Sequence, residues 1–168
     1  QPGNVYLIFD FGGGTMHASV ILIEAEERAA TGRRCRVLGK AGRDIGGATL
    51  DQWLYQEILR CNNRMDHEPA IRQNSTLILY ACQQIKEQLS LNEGATFQPG
   101  LLTDGLSLTG DFTRTSFEDL LDQHEFFTTL QQMVRQALNG AVERGYREED
   151  IQAALLVGGG SQIPSVQR

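Results

Sequence analysis

Three glycine clusters, two of them directly after short apolar runs, limit the fold of this chain more than any other feature. The clusters are Gly12–Gly14, Gly46–Gly47 and Gly158–Gly160. The runs Val5–Phe9 and Ala153–Val157 are typical of strands that are buried on both faces of a sheet. We therefore expect two buried strands that end in glycine turns at the same edge of one sheet, and we expect these turns to need positive φ.

The spacing of apolar residues around these strands predicts an α/β fold. Residues 15–24 are rich in Val, Ile and Leu and predict a strand that pairs with the first one across the glycine turn. A polar hairpin loop at 26–34 leads to a third predicted strand at 35–41. A long amphipathic helix is predicted at 123–144, ahead of the last strand.

The middle of the chain changes period and predicts an inserted subdomain. Apolar residues repeat at helical spacing after the second glycine cluster, and another helix is predicted over 69–90. Short alternating apolar residues between 95 and 113 predict a small sheet, and Ser116 is the predicted N-cap of the next helix. The domain prediction is therefore a discontinuous α/β subdomain, 1–45 with 117–168, and an inserted α+β subdomain, 46–116.

Composition argues against several classes of protein. The 168 residues suit one domain or one lobe of a larger domain. The net charge of −6 argues against nucleic acid or an anionic membrane as the main partner, and no apolar run reaches the roughly 20 residues of a membrane span. Three widely spaced cysteines, which we expect to be buried, indicate a reducing compartment and a cytoplasmic location. Because the chain begins without Met and stops where a helix is predicted to start, we interpret it as a fragment.

The first glycine cluster has the features of a phosphate-binding turn. It lacks the Gly-Lys-Ser/Thr ending of a Walker loop, and it is not a dinucleotide fingerprint because a strand follows it. Asp10 at the strand end can hold Mg²⁺ through water, and the Thr15 hydroxyl can reach a terminal phosphate or an attacking water. Two other interpretations stay open: a glycine triplet can be a plain turn, and Asp10 with Gly12 can form an Asx turn without metal.

Four segments of the chain, in this order and spacing, resemble successive motifs of the seventy-kilodalton heat-shock (DnaK-like) chaperones. The segments are Asp10-Phe11-Gly12-Gly13-Gly14-Thr15, Ile45-Gly46-Gly47, Cys82 to Ser90, and Leu155-Leu156-Val157-Gly158-Gly159 with Ile163-Pro164. The resemblance covers essentially the whole chain. It implies the second lobe of that family's nucleotide-binding domain, which has the actin-like, ribonuclease H-like ATPase fold.

The resemblance also implies roles for single residues. In that family the first motif embraces the β and γ phosphates of ATP or ADP, its Asp contacts the Mg²⁺ shell and its Thr lies near the γ phosphate. These roles fall on Gly12, Gly13, Gly14, Asp10 and Thr15. The later glycine motifs also line the nucleotide, at Gly46, Gly47, Gly158 and Gly159. A helix of the inserted subdomain clamps the adenosine, and its positions in this chain are Gln83, Lys86, Glu87 and Ser90.

Five positions depart from the pattern of that family. Gln83 and Glu87 stand where the family has Glu and Arg, and Gln162 stands where it usually has an Arg against the base. Replacing a planar cation with Glu87 removes a cation–π partner of the purine that contributes about 1 kcal/mol. His17 replaces an Asp beside the ion-binding region, and Ala48 replaces a Glu after the second motif. These substitutions bear on adenine binding and on metal binding.

The resemblance implies a chaperone ATPase that acts in protein folding and the stress response. Hydrolysis of ATP in the parent protein would switch a separate peptide-binding domain, with unfolded client peptides, a nucleotide-exchange factor and a J-domain co-chaperone as partners. This chain alone is expected to be inactive, because the family's first lobe supplies another phosphate loop and a catalytic Lys. Two alternatives stay open: a degenerate member that acts as a protein-interaction module, and a sugar or acetate kinase of the same fold.

Overall fold

The computed structural model describes residues 3–24 and 34–167. The predicted hairpin loop at 26–34 lies outside the described residues, apart from Arg34. The chain divides into two compact units, which we call unit 1 and unit 2: residues 1–46 with 126–161, and residues 47–125 with 162–168. Within the described ranges no helix is both long and apolar enough to cross a membrane.

Unit 1 is built on a four-stranded mixed sheet. Its strands are β1 (Val5–Phe11), β2 (Met16–Ile23), β3 (Cys35–Arg43) and β6 (Ile151–Val157), in the order β3-β2-β1-β6. β2 pairs antiparallel with both β1 and β3, whereas β6 runs parallel to β1. The predicted hairpin across the first glycine turn and the third strand are therefore confirmed.

The two apolar strands that the sequence predicted differ in burial. β1 is a central strand, and its Val5 and Phe9 are buried. β6 is an edge strand that pairs only with β1 among the described residues, and its Leu155, Leu156 and Val157 are 45, 42 and 44% exposed. The expectation that the last strand is buried on both faces is wrong for the described chain, because an apolar run does not by itself distinguish a central strand from an edge strand.

Helix α4 (Phe126–Val142) packs against β2 and β3 of unit 1. Two glycines allow the close crossing of α4 over β3. A Cβ at Gly39 would lie 2.0 Å from the carbonyl oxygen of Ala137, and a Cβ at Gly140 would lie 2.9 Å from the Cα of Gly39. The helix begins at residue 126 and not at the predicted residue 123, because Glu125 adopts a positive φ of 55° and interrupts it.

Unit 2 contains two long helices, a two-stranded sheet and a shorter helix. Its elements are α1 (Gly47–Cys61), α2 (Pro69–Leu91), β4 (Gly94–Thr96), β5 (Asp111–Thr113) and α3 (Arg114–Gln123). α1 packs on α2, and β4 pairs antiparallel with β5. The two helices and the small sheet that the sequence predicted in this region are confirmed.

Helix α3 begins earlier than the sequence predicted. The Thr113 side chain accepts a hydrogen bond from the Ser116 N–H at 3.1 Å, and the Thr113 N–H donates to the Ser116 hydroxyl at 2.9 Å. Thr113 is therefore the N-cap, and Ser116 is the third helical residue of a capping box and not the N-cap itself. The subdomain boundary that was predicted at residue 116 falls inside α3, which contacts α1 and β5 and belongs to unit 2.

Each unit has its own apolar core. In unit 1 the buried side chains come from the strands and α4, and include Phe11, Met16, Leu38, Phe126 and Met133. In unit 2 they come mainly from the facing sides of α1, α2 and α3, and include Leu50, Leu54, Ile58, Ile71, Ile78, Ile85, Leu89 and Leu121. Of the cysteines only Cys82 is buried, so the expectation of three buried cysteines is wrong for Cys35 and Cys61, which are exposed.

Candidate functional site

The first glycine turn joins β1 to β2 at one end of the unit 1 sheet. The Gly12 N–H donates to the Thr15 carbonyl oxygen at 3.0 Å and closes the turn. Gly13 and Gly14 lie exposed at its tip. None of these three glycines has a positive φ, so the expectation that this turn needs one is wrong. Among the described glycines of the three clusters, only Gly158 has a positive φ, of 85°.

The other two clusters pack onto this turn and onto the end of β1. A Cβ at Gly46 would lie 2.4 Å from the carbonyl oxygen of Gly13. A Cβ at Gly158 would lie 2.3 Å from the carbonyl oxygen of Phe11, and a Cβ at Gly160 would lie 2.5 Å from the Phe11 ring. The first and third clusters therefore meet at one sheet edge, as predicted, and Gly46 joins them. Gly47 begins α1 and belongs to unit 2.

The turn after β6 is held by Ser161. Its buried side chain donates to the Gly158 carbonyl oxygen at 2.7 Å, and its N–H reaches the same oxygen at 3.3 Å. The backbone then forms two short 3-10 segments, Gly159–Gln162 and Pro164–Val166, where the sequence predicted the start of a helix. Gln162 is exposed at the end of the first segment.

At three glycine positions at this end of the sheet, the packing of the described residues would also accommodate a larger side chain. A Cβ at Gly13, Gly14 or Gly159 would meet no atom within 4 Å, and none of the three has a positive φ. Gly46 and Gly158, by contrast, lie so close to backbone atoms that a Cβ does not fit. The backbone of the three open glycines can therefore be approached closely by a group that lies outside the described residues.

Asp10 lies on the exposed face of β1, between two buried phenylalanines. It lies in register with His17 of β2 and with Val157 of β6. Gly158 follows directly beside it, because a Cβ at that glycine would lie 3.0 Å from Oδ1 of Asp10. No hydrogen bond or ion pair to another described residue holds the Asp10 carboxylate. It is therefore available at the edge of the sheet where the glycine turns meet.

His17 lies opposite Asp10, but its ring packs on the neighbouring strand. A Cβ at Gly42 of β3 would lie 2.6 Å from Cδ2 and 3.0 Å from Nε2 of His17. The imidazole therefore occupies the space above β3. The described residues contain no group of three or more His, Cys, Asp and Glu side chains that could hold a metal ion. A single carboxylate such as Asp10 suits Mg²⁺, which usually keeps several of its waters.

Lys86 of α2 is engaged inside unit 2. Its Nζ lies 2.7 Å from Oδ1 of Asp51 in α1 and donates to the Gly47 carbonyl oxygen at 2.8 Å. The two side chains are only 13 and 11% exposed. Burial raises the pKa of the Asp51 carboxyl, although the hydrogen bond and the charge of Lys86 lower it. The pair links α2 to the first turn of α1.

Asp51 is a site residue that the sequence prediction missed. The signal that could have found it is an acidic residue next to Leu50 on the apolar stripe of a helix, because a buried carboxylate needs a cationic or hydrogen-bonding partner. Burial raises the pKa of the nearby Cys82 thiol to about 12, and the charge of Asp51 adds to the effect. Cys82 therefore stays protonated near neutral pH, which argues against a nucleophilic role.

The other three predicted clamp residues lie along the same helix. Gln83 and Glu87 are exposed one turn apart, and Nε2 of Gln83 donates to Oε1 of Glu87 at 2.9 Å. Ser90 donates its hydroxyl to the backbone carbonyl oxygen of Lys86 at 3.2 Å. α2 therefore brings Gln83 and Glu87 together on one exposed surface, whereas the Lys86 ammonium is bound to Asp51.

The whole chain matches one known protein family: the family model described as Hsp70 protein covers residues 1–168. The chain belongs to the Hsp70 family. It is 32% identical over 168 residues to a heat shock cognate HSP70 protein of Trypanosoma brucei brucei, which covers 96% of this chain and 23% of the relative. It is 29% identical over 170 residues to the heat shock 70 kDa protein BIP3 of Oryza sativa subsp. japonica, which covers 99% of this chain and 24% of the relative.

A bacterial relative gives the same result for this Hsp70-family chain. Identity is 27% over 170 residues to a chaperone protein HscA homolog of Polynucleobacter necessarius subsp. necessarius, with 98% of this chain and 24% of the relative covered. The chain spans about a quarter of the length of the curated relatives that it matches. Its mixed α/β architecture with a mixed sheet fits the ATPase domain of the family.

Within this Hsp70-family chain, the departures from the motif pattern fall on exposed positions. Ala48 is exposed in the first turn of α1, and Gln83, Glu87 and Gln162 are exposed as well. His17 is exposed on β2. Since none of the five side chains is buried, the apolar core of neither unit accounts for these substitutions.

Proposed function

We propose that this chain is part of the nucleotide-binding domain of an Hsp70-type chaperone, and that unit 1 binds the phosphates of ATP or ADP with Mg²⁺. The observation that carries the proposal is the contrast among the glycines where the turns meet. Gly46 and Gly158 are needed for packing, whereas Gly13, Gly14 and Gly159 face open space without a positive φ. Glycine at the open positions is explained if phosphate oxygens approach the backbone N–H groups there.

In this proposal, different groups of unit 1 contact the phosphates and the metal ion. Backbone N–H groups of the first and third turns would donate hydrogen bonds to phosphate oxygens, and the Thr15 hydroxyl of the first turn would reach the terminal phosphate. Asp10, which no other described residue engages, would hold Mg²⁺ by accepting hydrogen bonds from its water ligands. When bound, Mg²⁺ neutralises negative charge on the phosphates.

The contacts to the nucleoside that the resemblance assigns to α2 change in this chain. The Lys86 ammonium is bound to Asp51 and to the Gly47 carbonyl oxygen, and the Ser90 hydroxyl donates to a backbone carbonyl oxygen. Of the four predicted clamp residues, Gln83 and Glu87 are therefore the exposed pair that a base or sugar can contact. An uncharged amide and an anion offer hydrogen bonds but no cation–π contact. We expect weaker adenine binding than a helix with Arg at position 87 would give, with the phosphates contributing most of the affinity.

The function of the whole protein follows as part of the same proposal. Hydrolysis of ATP would switch a separate peptide-binding domain between weak and tight binding of unfolded clients. A nucleotide-exchange factor and a J-domain co-chaperone would be the partners, and the protein would act in the cytoplasm. A further phosphate loop and a catalytic Lys from another lobe would be needed for hydrolysis.

Calorimetric titration of magnesium-ADP and magnesium-ATP tests the proposal. The protein should carry this chain together with the first lobe that the resemblance implies. We expect micromolar or tighter binding, about −8 kcal/mol or better, with loss of the magnesium dependence in Asp10→Asn. Asp119→Asn, which removes an exposed carboxylate of α3, is the matched control and should bind as the parent does. No binding by a folded protein would refute the proposal and favour the interaction module.

A further inference from the structure

The exposed Glu87 carboxylate of α2 is held by two neighbouring amide side chains. Nε2 of Gln83 donates to its Oε1 at 2.9 Å, and Nε2 of Gln84 donates to its Oε2 over a longer distance of 3.5 Å. No described cation forms an ion pair with Glu87. A carboxylate oxygen can accept more than one hydrogen bond, so each oxygen keeps a free acceptor position. The side chain therefore presents two oriented acceptors to a ligand.

Neither position at which the resemblance implies an arginine against the base carries a cation in this chain. These positions are Glu87 and Gln162, and both are exposed. The Lys86 ammonium, next along α2, lies on Asp51 and on the Gly47 carbonyl oxygen, and its side chain is only 13% exposed. Among these residues the charge that a base can meet is therefore the negative charge of Glu87.

The nucleobases differ in what they offer to a carboxylate. Guanine carries two neighbouring donors on one edge, N1–H and the N2 amino group, and they match the two oxygens of a carboxylate. Adenine has a single amino group between two ring nitrogens, N1 and N7, whose lone pairs an anion repels. Cytosine also has one amino group beside an acceptor nitrogen, and uracil has one N–H between two carbonyl oxygens. A fixed carboxylate therefore favours guanine over the other bases.

We propose that Glu87 makes guanine nucleotides the preferred ligands of this chain, by accepting hydrogen bonds from N1–H and from the N2 amino group of the base. The inference rests on the proposed function, in which unit 1 binds the phosphates and α2 contacts the nucleoside. Gln83 is a positioning residue, because its amide holds Oε1 of Glu87. Adenine nucleotides bind through their phosphates without this pair of hydrogen bonds, and therefore bind more weakly.

Calorimetric titration with the magnesium complexes of GDP, IDP, ADP and pyrophosphate measures the preference, in the protein that carries this chain with the first lobe. An exposed contact lies at the weak end of the discrimination that a bidentate pair with a base gives. We expect GDP to bind about fivefold to tenfold more tightly than ADP. IDP has N1–H but no N2 amino group, so its affinity should lie between the two.

Two variants and a matched control test the role of position 87. Glu87→Gln keeps the size of the exposed side chain but removes its charge, and it should bring the affinity for GDP within about twofold of that for ADP. Gln83→Ala, which removes the amide that holds Oε1, should reduce the preference for GDP by a smaller factor. Asp119→Asn removes another exposed carboxylate of unit 2, on α3, and should keep the preference of the parent.

The outcomes separate this inference from the function on which it rests. If the parent binds ADP as tightly as GDP, or if Glu87→Gln keeps the preference for GDP, phosphate binding stands and the assignment of guanine is wrong. Equal affinities for IDP and GDP would overturn the contact with the N2 amino group. Loss of the preference in Asp119→Asn would show that it comes from the net charge and not from position 87. If the folded protein binds neither the nucleotides nor pyrophosphate, the proposed function itself is refuted, and this inference with it.

Discussion

The contrast between packed and open glycines gives a prediction that separates structural from binding roles. In Gly46→Ala the new methyl carbon would lie 2.4 Å from the Gly13 carbonyl oxygen and 2.4 Å from the Gly14 carbonyl carbon. These are backbone atoms of the first turn, so they can relieve the overlap only if the turn moves. Overpacking of this kind costs about 1–3 kcal/mol of the free energy of unfolding.

Gly14→Ala is expected to have the opposite effect on stability. Its Cβ would meet no atom within 4 Å, and the φ of Gly14 is not positive, so the native backbone accepts alanine. Reduced freedom of the unfolded chain then raises the free energy of unfolding by about 0.4–1 kcal/mol. Gly46→Ala and Gly14→Ala each add one methyl group, on opposite sides of the contact between Gly46 and the first turn. Their free energies of unfolding should therefore differ by about 1.5–4 kcal/mol.

Urea unfolding followed by far-ultraviolet circular dichroism measures this difference, and calorimetry with magnesium-ADP measures binding. Gly14→Ala should be at least as stable as the parent and should bind magnesium-ADP roughly tenfold or more weakly, because a methyl group then occupies the space that we assign to phosphate. Gly13→Ala should behave as Gly14→Ala does, and thus serves as an internal check. If Gly14→Ala is as unstable as Gly46→Ala, the turn geometry described above is wrong. If it folds and binds ADP as the parent does, the assignment of the open glycines to phosphate is refuted.

Three further predictions test contacts inside unit 1 or inside unit 2. Lys86→Met removes the cation beside the buried Asp51 carboxylate and should lower the free energy of unfolding by about 2–3 kcal/mol near pH 7. In the double variant Lys86→Met with Asp51→Asn, urea unfolding should show that part of this free energy is regained, because the unpaired buried charge is gone. The pKa of Asp51 in the folded protein lies above its ordinary value of 3.8, so the native state holds this proton more tightly than the unfolded state does. The stability that proton binding contributes is therefore fully present below pH 3.8 and is lost as pH rises through the folded pKa. The stability loss in Lys86→Met should accordingly shrink in acid, and a pH-independent loss would contradict this account. Gly39→Ala should lower the free energy of unfolding by about 3 kcal/mol or more, because its Cβ would lie 2.0 Å from a backbone oxygen of α4. Gly94→Ala is the control: its Cβ would lie 3.5 Å from the Phe112 carbonyl oxygen, so thermal unfolding should show little change in stability. The single tryptophan, Trp53, stacks on His124 with ring centroids 4.3 Å apart and an interplanar angle of 2°. The fluorescence of Trp53 should therefore change in His124→Ala and in His124→Phe, and unchanged spectra would refute the stack.

Much of the secondary structure could be predicted because the apolar period is a local property. The hairpin of β1 and β2, the two long helices of unit 2 and the small sheet all follow from alternation or helical spacing within short windows. The errors have a different cause. The apolar run at 153–157 could not reveal that β6 is an edge strand, because exposure depends on which strands pair beside it. Ser116 has the residue type of an N-cap, but the backbone places that role on Thr113, three residues earlier.

The candidate site divides in the same way between local and tertiary information. The order and spacing of the glycine motifs, Asp10 and Thr15 are readable along the chain, and they indicate phosphate chemistry as well as a family. The state of Lys86 is not readable there, because its partner Asp51 lies 35 positions earlier on another helix, and only the packing of α1 on α2 brings Nζ within 2.7 Å of the carboxylate. Sequence spacing therefore identified the candidate residues without showing which of them are already engaged.

The sequence by itself predicted most of the strands and helices, the residues that are candidates for binding phosphate, and the meeting of the glycine turns at one end of a sheet. These properties depend on residue type, period and chain order, all of which are local. Only the tertiary structure decided which glycines are held by packing and which face open space. It also showed that Lys86 is bound to Asp51. Each of these depends on distances between residues far apart along the chain, and such distances are set by packing.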